Sequence, residues 1–261
     1  MPNTYVIGDI HGCLYTLESL LTKLKIKSED SVICIGDLVG KGRYPWEVLS
    51  AVQAIKATII LGNHDLHFIA TQSHNPQLTS LQADALNYLM QAKIAHWHQA
   101  TDTIMVHAGV WPGWSMHEIL AYAEEVQERV NTLQKAKLLK DTMYSQNDLR
   151  FTKHLGGWAR IRTLINIFTR MRTLTEHKAL DLAYTGTLKD MPANLKPWYE
   201  KIALPTKRIV FGHWAALSGH SGHEYCINID GGCVWGGHLQ AFCLETGKVI
   251  QVPLNKNDVD H

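Results

Sequence analysis

The chain has 261 residues, 46% of them hydrophobic, enough to bury a full core in one or two α/β domains. Twenty-five Lys and Arg against twenty-four Asp and Glu leave a formal charge of +1, which excludes a protein that coats polyanions by bulk charge. No apolar run approaches the ~20 residues of a membrane span, no secretory signal opens the chain, and its five Cys form no Cys-x-x-Cys pair, so a soluble cytoplasmic protein with reduced thiols is expected.

The first predicted strand, at 5–7, stops at Gly8 and hands over to Asp9 and His11. Residues i and i+2 of an extended segment face the same way, so the carboxylate and the imidazole can address one ion. A helical pattern follows through Leu14, Leu17, Leu20, Leu21 and Leu24. The second strand, 31–35, ends in Gly36-Asp37, and Pro45 suits the first turn of the next helix. The third, 58–61, ends in Gly62-Asn63-His64-Asp65, ahead of helical patterns at 66–70 and 81–92. The fourth, 103–106, ends in His107-Ala108-Gly109.

The middle differs. Residues 114–140 read as an amphipathic helix and 158–172 as a second, whereas 190–205, with Pro192, Pro197 and Pro205, reads as loop. We expect 114–205 to be a helical and loop insertion over the mouth of a site, inside a single domain spanning 1–261. Strands return at 208–211, ending in Gly212-His213, and at 225–229, ending in Asp230. A hairpin, 241–244 with 248–252, precedes a polar tail at 255–261.

Strand, glycine, then Asp, Asn or His recurs along the chain, and that recurrence is informative. Asp9, His11, Asp37, Asn63, His107 and His213 make a donor set of carboxylates, imidazoles and an amide oxygen with no thiolate. It suits ions such as Mn²⁺, Co²⁺, Fe²⁺ or Zn²⁺, and it has too many members for one tetrahedral zinc. Two ions sharing a carboxylate fit better, the arrangement that activates a bridging water for in-line attack at phosphorus. His64, next to the ligand Asn63, is placed to act as general acid. The glycine-rich stretch 36–42 is no P-loop, because its glycine spacing is wrong and Gly42 stands where Ser or Thr is required.

The segments Gly8-Asp9-Ile10-His11-Gly12, Gly36-Asp37-Leu38-Val39, Gly62-Asn63-His64-Asp65, His107-Ala108-Gly109 and Gly212-His213 together resemble the phosphoprotein-phosphatase branch of the calcineurin-like metallophosphoesterases. Within that branch, 168–172, 195–198, 211–215 and 233–237 are similar to the bacterial symmetrical dinucleoside-tetraphosphate hydrolases. The resemblance implies an α/β fold, a β-sandwich flanked by helices in four layers, in place of the doubly wound sheet that the strand-helix rhythm suggests. It implies one metal on Asp9, His11 and Asp37, a second on Asp37, Asn63, His107 and His213, and His64 protonating the leaving group. Mn²⁺ or Co²⁺ is the expected metal. The implied reaction cleaves a dinucleoside tetraphosphate at its centre, giving two ADP from diadenosine tetraphosphate; polyphosphate-capped RNA is a related substrate. A protein phosphatase or an inactive nucleotide sensor are the competing functions.

One departure stands out. Where protein phosphatases of this branch carry Asp-Arg, the chain has Gly40-Lys41. Lys41 keeps the charge, while Gly40 cannot orient His64. The expectation is that Asp at position 40 would raise activity on alkyl phosphates more than on tetraphosphates. Lys41, Arg43, Arg170 and Arg172 are candidates for the phosphate chain. Trp111, Trp214 and Trp235 are candidates to stack on a nucleobase, with core packing as the competing role for each. His220, His223 and His238 are not expected to be extra ligands; the first two, around Gly219 and Gly222, are read as loop residues.

Overall fold

The computed structural model describes residues 2–131, 150–200, 202–203 and 206–260. The strands are β1 (Thr4–Ile7), β2 (Ser31–Cys34), β3 (Thr58–Ile59), β4 (Ala95–His98), β5 (Thr103–Val106), β6 (Thr173–Thr175), β7 (Leu180–Asp181), β8 (Leu195–Pro197), β9 (Arg208–Phe211), β10 (Cys226–Asn228), β11 (His238–Cys243) and β12 (Val249–Pro253). The α-helices are α1 (Leu14–Leu24), α2 (Pro45–Ala54), α3 (Asn63–Gln72), α4 (Ser80–Met90), α5 (Met116–Gln127) and α6 (Gly157–Arg170).

Two mixed sheets carry the fold, one ordered β12-β11-β1-β2-β3 and the other β10-β9-β5-β4. They face each other through Val6, Ile33, Met105, Val210, Ile229 and Phe242, an apolar layer drawn from both. Alternate residues of the same strands, Ile7, Val32, Cys34, Ile104, Val106, Ile209 and Phe211, pack instead in the larger cluster shared with the helices. Both faces of each central strand are therefore buried, which is why these strands read as continuous apolar runs, a pattern that parallel sheets share. Each fully buried aliphatic side chain contributes roughly 1.5–3 kcal/mol, so the inter-sheet layer is a major source of stability.

Parallel pairing sets up the site. β1, β2 and β3 run parallel, as do β5, β9 and β10, so the carboxyl ends within each set share one rim. The predicted ligand segments all follow those ends.

Other features depart from the sequence reading. β4 was not anticipated; it pairs antiparallel with β5 at the sheet edge. Within 114–205, α5 and α6 form as expected, but β6, β7 and β8 build a small third sheet, and β8 lies in a stretch read as loop. Residues 132–140 of the expected helix lie outside the described residues. The polar tail is not loose: Asp258 is fully buried, and its carboxylate accepts the Tyr15 and Thr16 N–H groups at 2.9 Å, capping α1 just past the Asp9–His11 loop. The Cys side chains are free and buried. No described helix is long and apolar enough to cross a membrane.

Candidate metal centre

Strand ends bring the donors together, and the loops that carry them are strained. His11, Asp37 and His213 have φ of 53°, 48° and 63°, the left-handed region that side chains with a Cβ seldom occupy. Such strain costs on the order of 1–3 kcal/mol per residue and collects at functional sites. Neighbouring glycines make room: a Cβ on Gly62 would lie 2.1 Å from Asp37 Oδ1, and one on Gly212 2.2 Å from Asp9 Oδ1.

Asp37 is the hub. Its Oδ2 lies 3.6 Å from His11 Nε2 and 3.5 Å from His107 Nε2, while Oδ1 accepts the His64 backbone N–H at 2.8 Å. Burial opposes its charge, yet the attraction of His107, His11 and His64 holds its carboxyl well below the usual carboxylate range. Two groups of donor atoms share it: His11, Asp37 and His64, and Asp37, His107 and His213, each spanning no more than 4.8 Å. Asp9 stands outside both groups, its two oxygens each 3.2 Å from the His213 N–H.

The donor set fits divalent cations. Asn63 Oδ1 and His107 Nε2 are buried with no hydrogen-bond partner among the described residues, a costly state unless something positive meets them. His107 is oriented through Nδ1, 3.0 Å from the Ile35 carbonyl, which leaves Nε2 facing Asp37. Burial would lower the His107 pKa, but Asp37 and Asp9 push it up to about 10: the pocket calls for positive charge. Burial, then the charges of Arg172 and His107, drive the pKa of His213 well below the ordinary histidine value, keeping that ring neutral. Burial likewise lowers His11 to about 4. Neutral imidazoles at His11 and His213 beside the ionised Asp37 carboxylate suit a hard or borderline cation, while burial raises the pKa of Asp9.

Two acids were passed over in the sequence. Asp65 is fully buried and ties two ligand loops together, taking the Leu38 N–H at 2.9 Å and the Val39 N–H at 3.3 Å on one oxygen and the Gly62 N–H at 3.0 Å on the other. Burial, reinforced by Asp37, raises its pKa to about 7. Asp230 follows β10, accepts the Gly232 N–H at 2.9 Å, and is raised by burial to about 6. Its place after an apolar strand, ahead of two glycines, was the signal for it.

The candidate phosphate ligands are scattered. Arg172 is held against the centre, donating from Nη2 to the His213 carbonyl at 3.0 Å and feeling the charges of Asp230, Asp9 and Asp37. Arg170 donates to Asn166 Oδ1 at 2.9 Å within α6. Lys41 is exposed, with Nζ 5.8 Å from the Trp235 ring centre. Arg43 pairs with the tail carboxylate of Asp260, its Nε 2.6 Å from Oδ1. His223 Nδ1 accepts backbone N–H groups of Tyr225 and Cys226, and His238 pairs with Gln240, as suits loop and strand residues.

Gly40 changes what an aspartate at that position is expected to do. Its φ is +142°, and a Cβ there would lie 2.8 Å from His11 Nδ1 and 3.0 Å from His64 Nδ1. An aspartate cannot enter without displacing two imidazoles, one of them already facing the Val39 carbonyl at 3.3 Å. Gly40→Asp is therefore expected to lower kcat/KM on alkyl phosphates and tetraphosphates alike, on the order of 10²-fold, the cost of a misplacement near 1 Å. A selective gain on alkyl phosphates in a steady-state comparison would show that the loop re-forms around the carboxylate.

A two-sheet sandwich that gathers histidines, carboxylates and an orphaned amide on one rim is the architecture of a metal-dependent phosphoesterase. The chain belongs to the calcineurin-like phosphoesterases, whose family profile matches residues 2–249. Two relatives, from Pseudomonas putida and Azotobacter vinelandii, are each 35% identical over 94% of this chain, covering 91% and 94% of their own lengths; both are named symmetrical bis(5'-nucleosyl)-tetraphosphatase. Among solved structures, a candidate diadenosine tetraphosphatase superposes with TM-score 0.66 at 24% identity, covering 98% of this chain and 97% of its own. A serine/threonine phosphatase from Saccharomyces cerevisiae gives 0.54 at 13% identity, covering 100% and 81%. These two likenesses bear on the fold, the calcineurin-like sandwich expected from the motifs.

Proposed function

We propose that the protein hydrolyses dinucleoside tetraphosphates at the central anhydride, releasing two ADP from diadenosine tetraphosphate. The observation that carries the chemistry is Asp37, common to both donor groups. The substrate class rests on relatives whose likeness runs nearly the full length of the chain.

In this reading Asp9, His11 and Asp37 would hold one divalent ion and Asp37, Asn63, His107 and His213 the second; the mixed oxygen and nitrogen donors suit Mn²⁺, Co²⁺, Fe²⁺ or Zn²⁺, and the family resemblance points to Mn²⁺ or Co²⁺. Such ions supply positive charge to the polyphosphate and acidify water toward hydroxide. The remaining work belongs to side chains. Arg172, with Arg170, Lys41 and Arg43, draws the phosphate chain toward the rim, Arg43 exchanging its exposed pairing with Asp260 to do so. His64 donates a proton to the departing ADP oxygen as the central P–O bond breaks, and the oxygen of water remains on the other ADP. RNA carrying a nucleoside-polyphosphate 5' cap offers the same anhydride and falls within the proposed class. The reduced, buried thiols support a cytoplasmic setting.

Incubation with diadenosine tetraphosphate, with and without Mn²⁺ or Co²⁺, tests the reading by its products. ADP alone, formed only with metal, is expected. ATP with AMP would overturn central cleavage. No turnover beside brisk hydrolysis of a phosphopeptide would make the protein a phosphatase of proteins.

A further inference from the structure

Of the three tryptophans that could meet a base, two are spent on packing. Trp111 and Trp214 are 8% and 1% exposed, and Trp214 donates Nε1 to the Gly186 carbonyl. Trp235 is 67% exposed, an unusual fate for the largest apolar side chain. It is also firmly held. The 3-10 turn Cys233–Trp235 lies between Gly232 and Gly236, both left-handed, and is closed by Gly236 N–H to Cys233 O and Gly237 N–H to Gly232 O, each 3.0 Å. Cys233 is buried in the same apolar cluster as Cys13, which adjoins the Asp9–Gly12 loop. At the start of the same segment, Asp230 feels Asp37, His107 and Arg172.

The other side of the indole also leads to the centre. Lys41 Nζ lies 5.8 Å from its ring centre, and Lys41 follows Gly40, whose backbone abuts the rings of His11 and His64. An exposed cation–π pair is a weak contact and does not by itself account for an exposed indole on a hydrogen-bonded turn at this rim.

We propose that Trp235 and Lys41 form a nucleoside-phosphate subsite, in which the indole face stacks on a purine and the ammonium meets an oxygen of the adjoining phosphate chain. The inference rests on the nucleotide-hydrolase reading and gives that reading a residue that senses the base. Because the exposed face is flat and offers no directed hydrogen bonds, it selects for a base without distinguishing adenine from guanine sharply.

Calorimetric titration of the metal-loaded protein with ADP and with pyrophosphate separates base from phosphate. Trp235→Ala is expected to weaken ADP about tenfold, the range of base–aromatic stacking, and to weaken pyrophosphate far less; Trp235→Phe should recover most of the loss. Lys41→Met should weaken both ligands by similar factors. Trp158→Ala, at a tryptophan 42% exposed beside Arg129, controls for the loss of any surface indole and should change neither. Equal losses of ADP and pyrophosphate in Trp235→Ala, no loss of either, or no ADP binding by the wild type would overturn the subsite. A selective loss of ADP in a protein that fails to cleave diadenosine tetraphosphate would uphold the subsite and remove the activity assigned above, so the two readings fail separately.

Discussion

Replacing Asp37 by asparagine is expected to lower kcat/KM on diadenosine tetraphosphate by roughly 10³-fold or more, since several kcal/mol of charge stabilisation leaves with the metals. The side chain keeps its shape and one acceptor for the His64 N–H, so the fold should persist. What it loses is the charge that both donor groups share, and it turns an amide toward His11 Nε2 or His107 Nε2, 3.6 and 3.5 Å from the present Oδ2. Elemental analysis should show metal falling from two ions per chain toward none. Asn63→Ala touches only the second proposed ligand set, so its loss should be smaller and partly reversed by excess Mn²⁺. Chelation of the wild type should also lower its thermal stability, because buried Asp9, Asp37 and Asp230 would then face one another with Arg172 and His107 as counter-charges. A D37N protein with full metal content and near-native turnover would sink the shared-carboxylate assignment.

The proposed ligands were legible in the sequence because their geometry is local. Asp9, Asp37, His107 and His213 each follow a short apolar strand closely, and parallel pairing carries those ends to a common rim whatever the details of packing. Other parts of the site depend on distant contacts. The fixing role of Asp65 lies in Leu38 and Val39 on another loop, and that of Asp258 in α1 at the opposite end of the chain, so neither has a motif of its own. Arg43, a candidate phosphate ligand, also pairs with Asp260 from the other end of the chain, a contact with no local motif. β6, β7 and β8 have two or three residues each, too few for a period of two to rise above their prolines and charges. Gly40 shows the sharpest limit: its departure from the family pattern was visible, but the positive φ and the two imidazoles that exclude a carboxylate were not.

His64→Asn should lower kcat on diadenosine tetraphosphate by about 10²-fold, the weak end of the range for a positioned general acid, with metal content unchanged. Two observations set that magnitude. The backbone N–H of His64 is anchored on Asp37, and its ring meets that of His11 edge-on with centroids 4.8 Å apart, so the imidazole is held at the rim. Among the described residues, however, no hydrogen bond is made to its ring nitrogens, and Gly40 offers no side chain to make one. A general acid held only by packing contributes less than one fixed by a carboxylate. Departure of ADP needs that help least, because its oxygen leaves as a stabilised phosphate anion, whereas an alkoxide must be protonated as it goes. The same substitution should therefore cost at least tenfold more on an alkyl phosphate than on the tetraphosphate, a ratio that needs no knowledge of either absolute rate. Equal defects on the two substrates would mean that His64 binds phosphate instead of donating a proton. A fall in bound metal would make His64 a ligand, as its place beside His11 and Asp37 in one donor group allows.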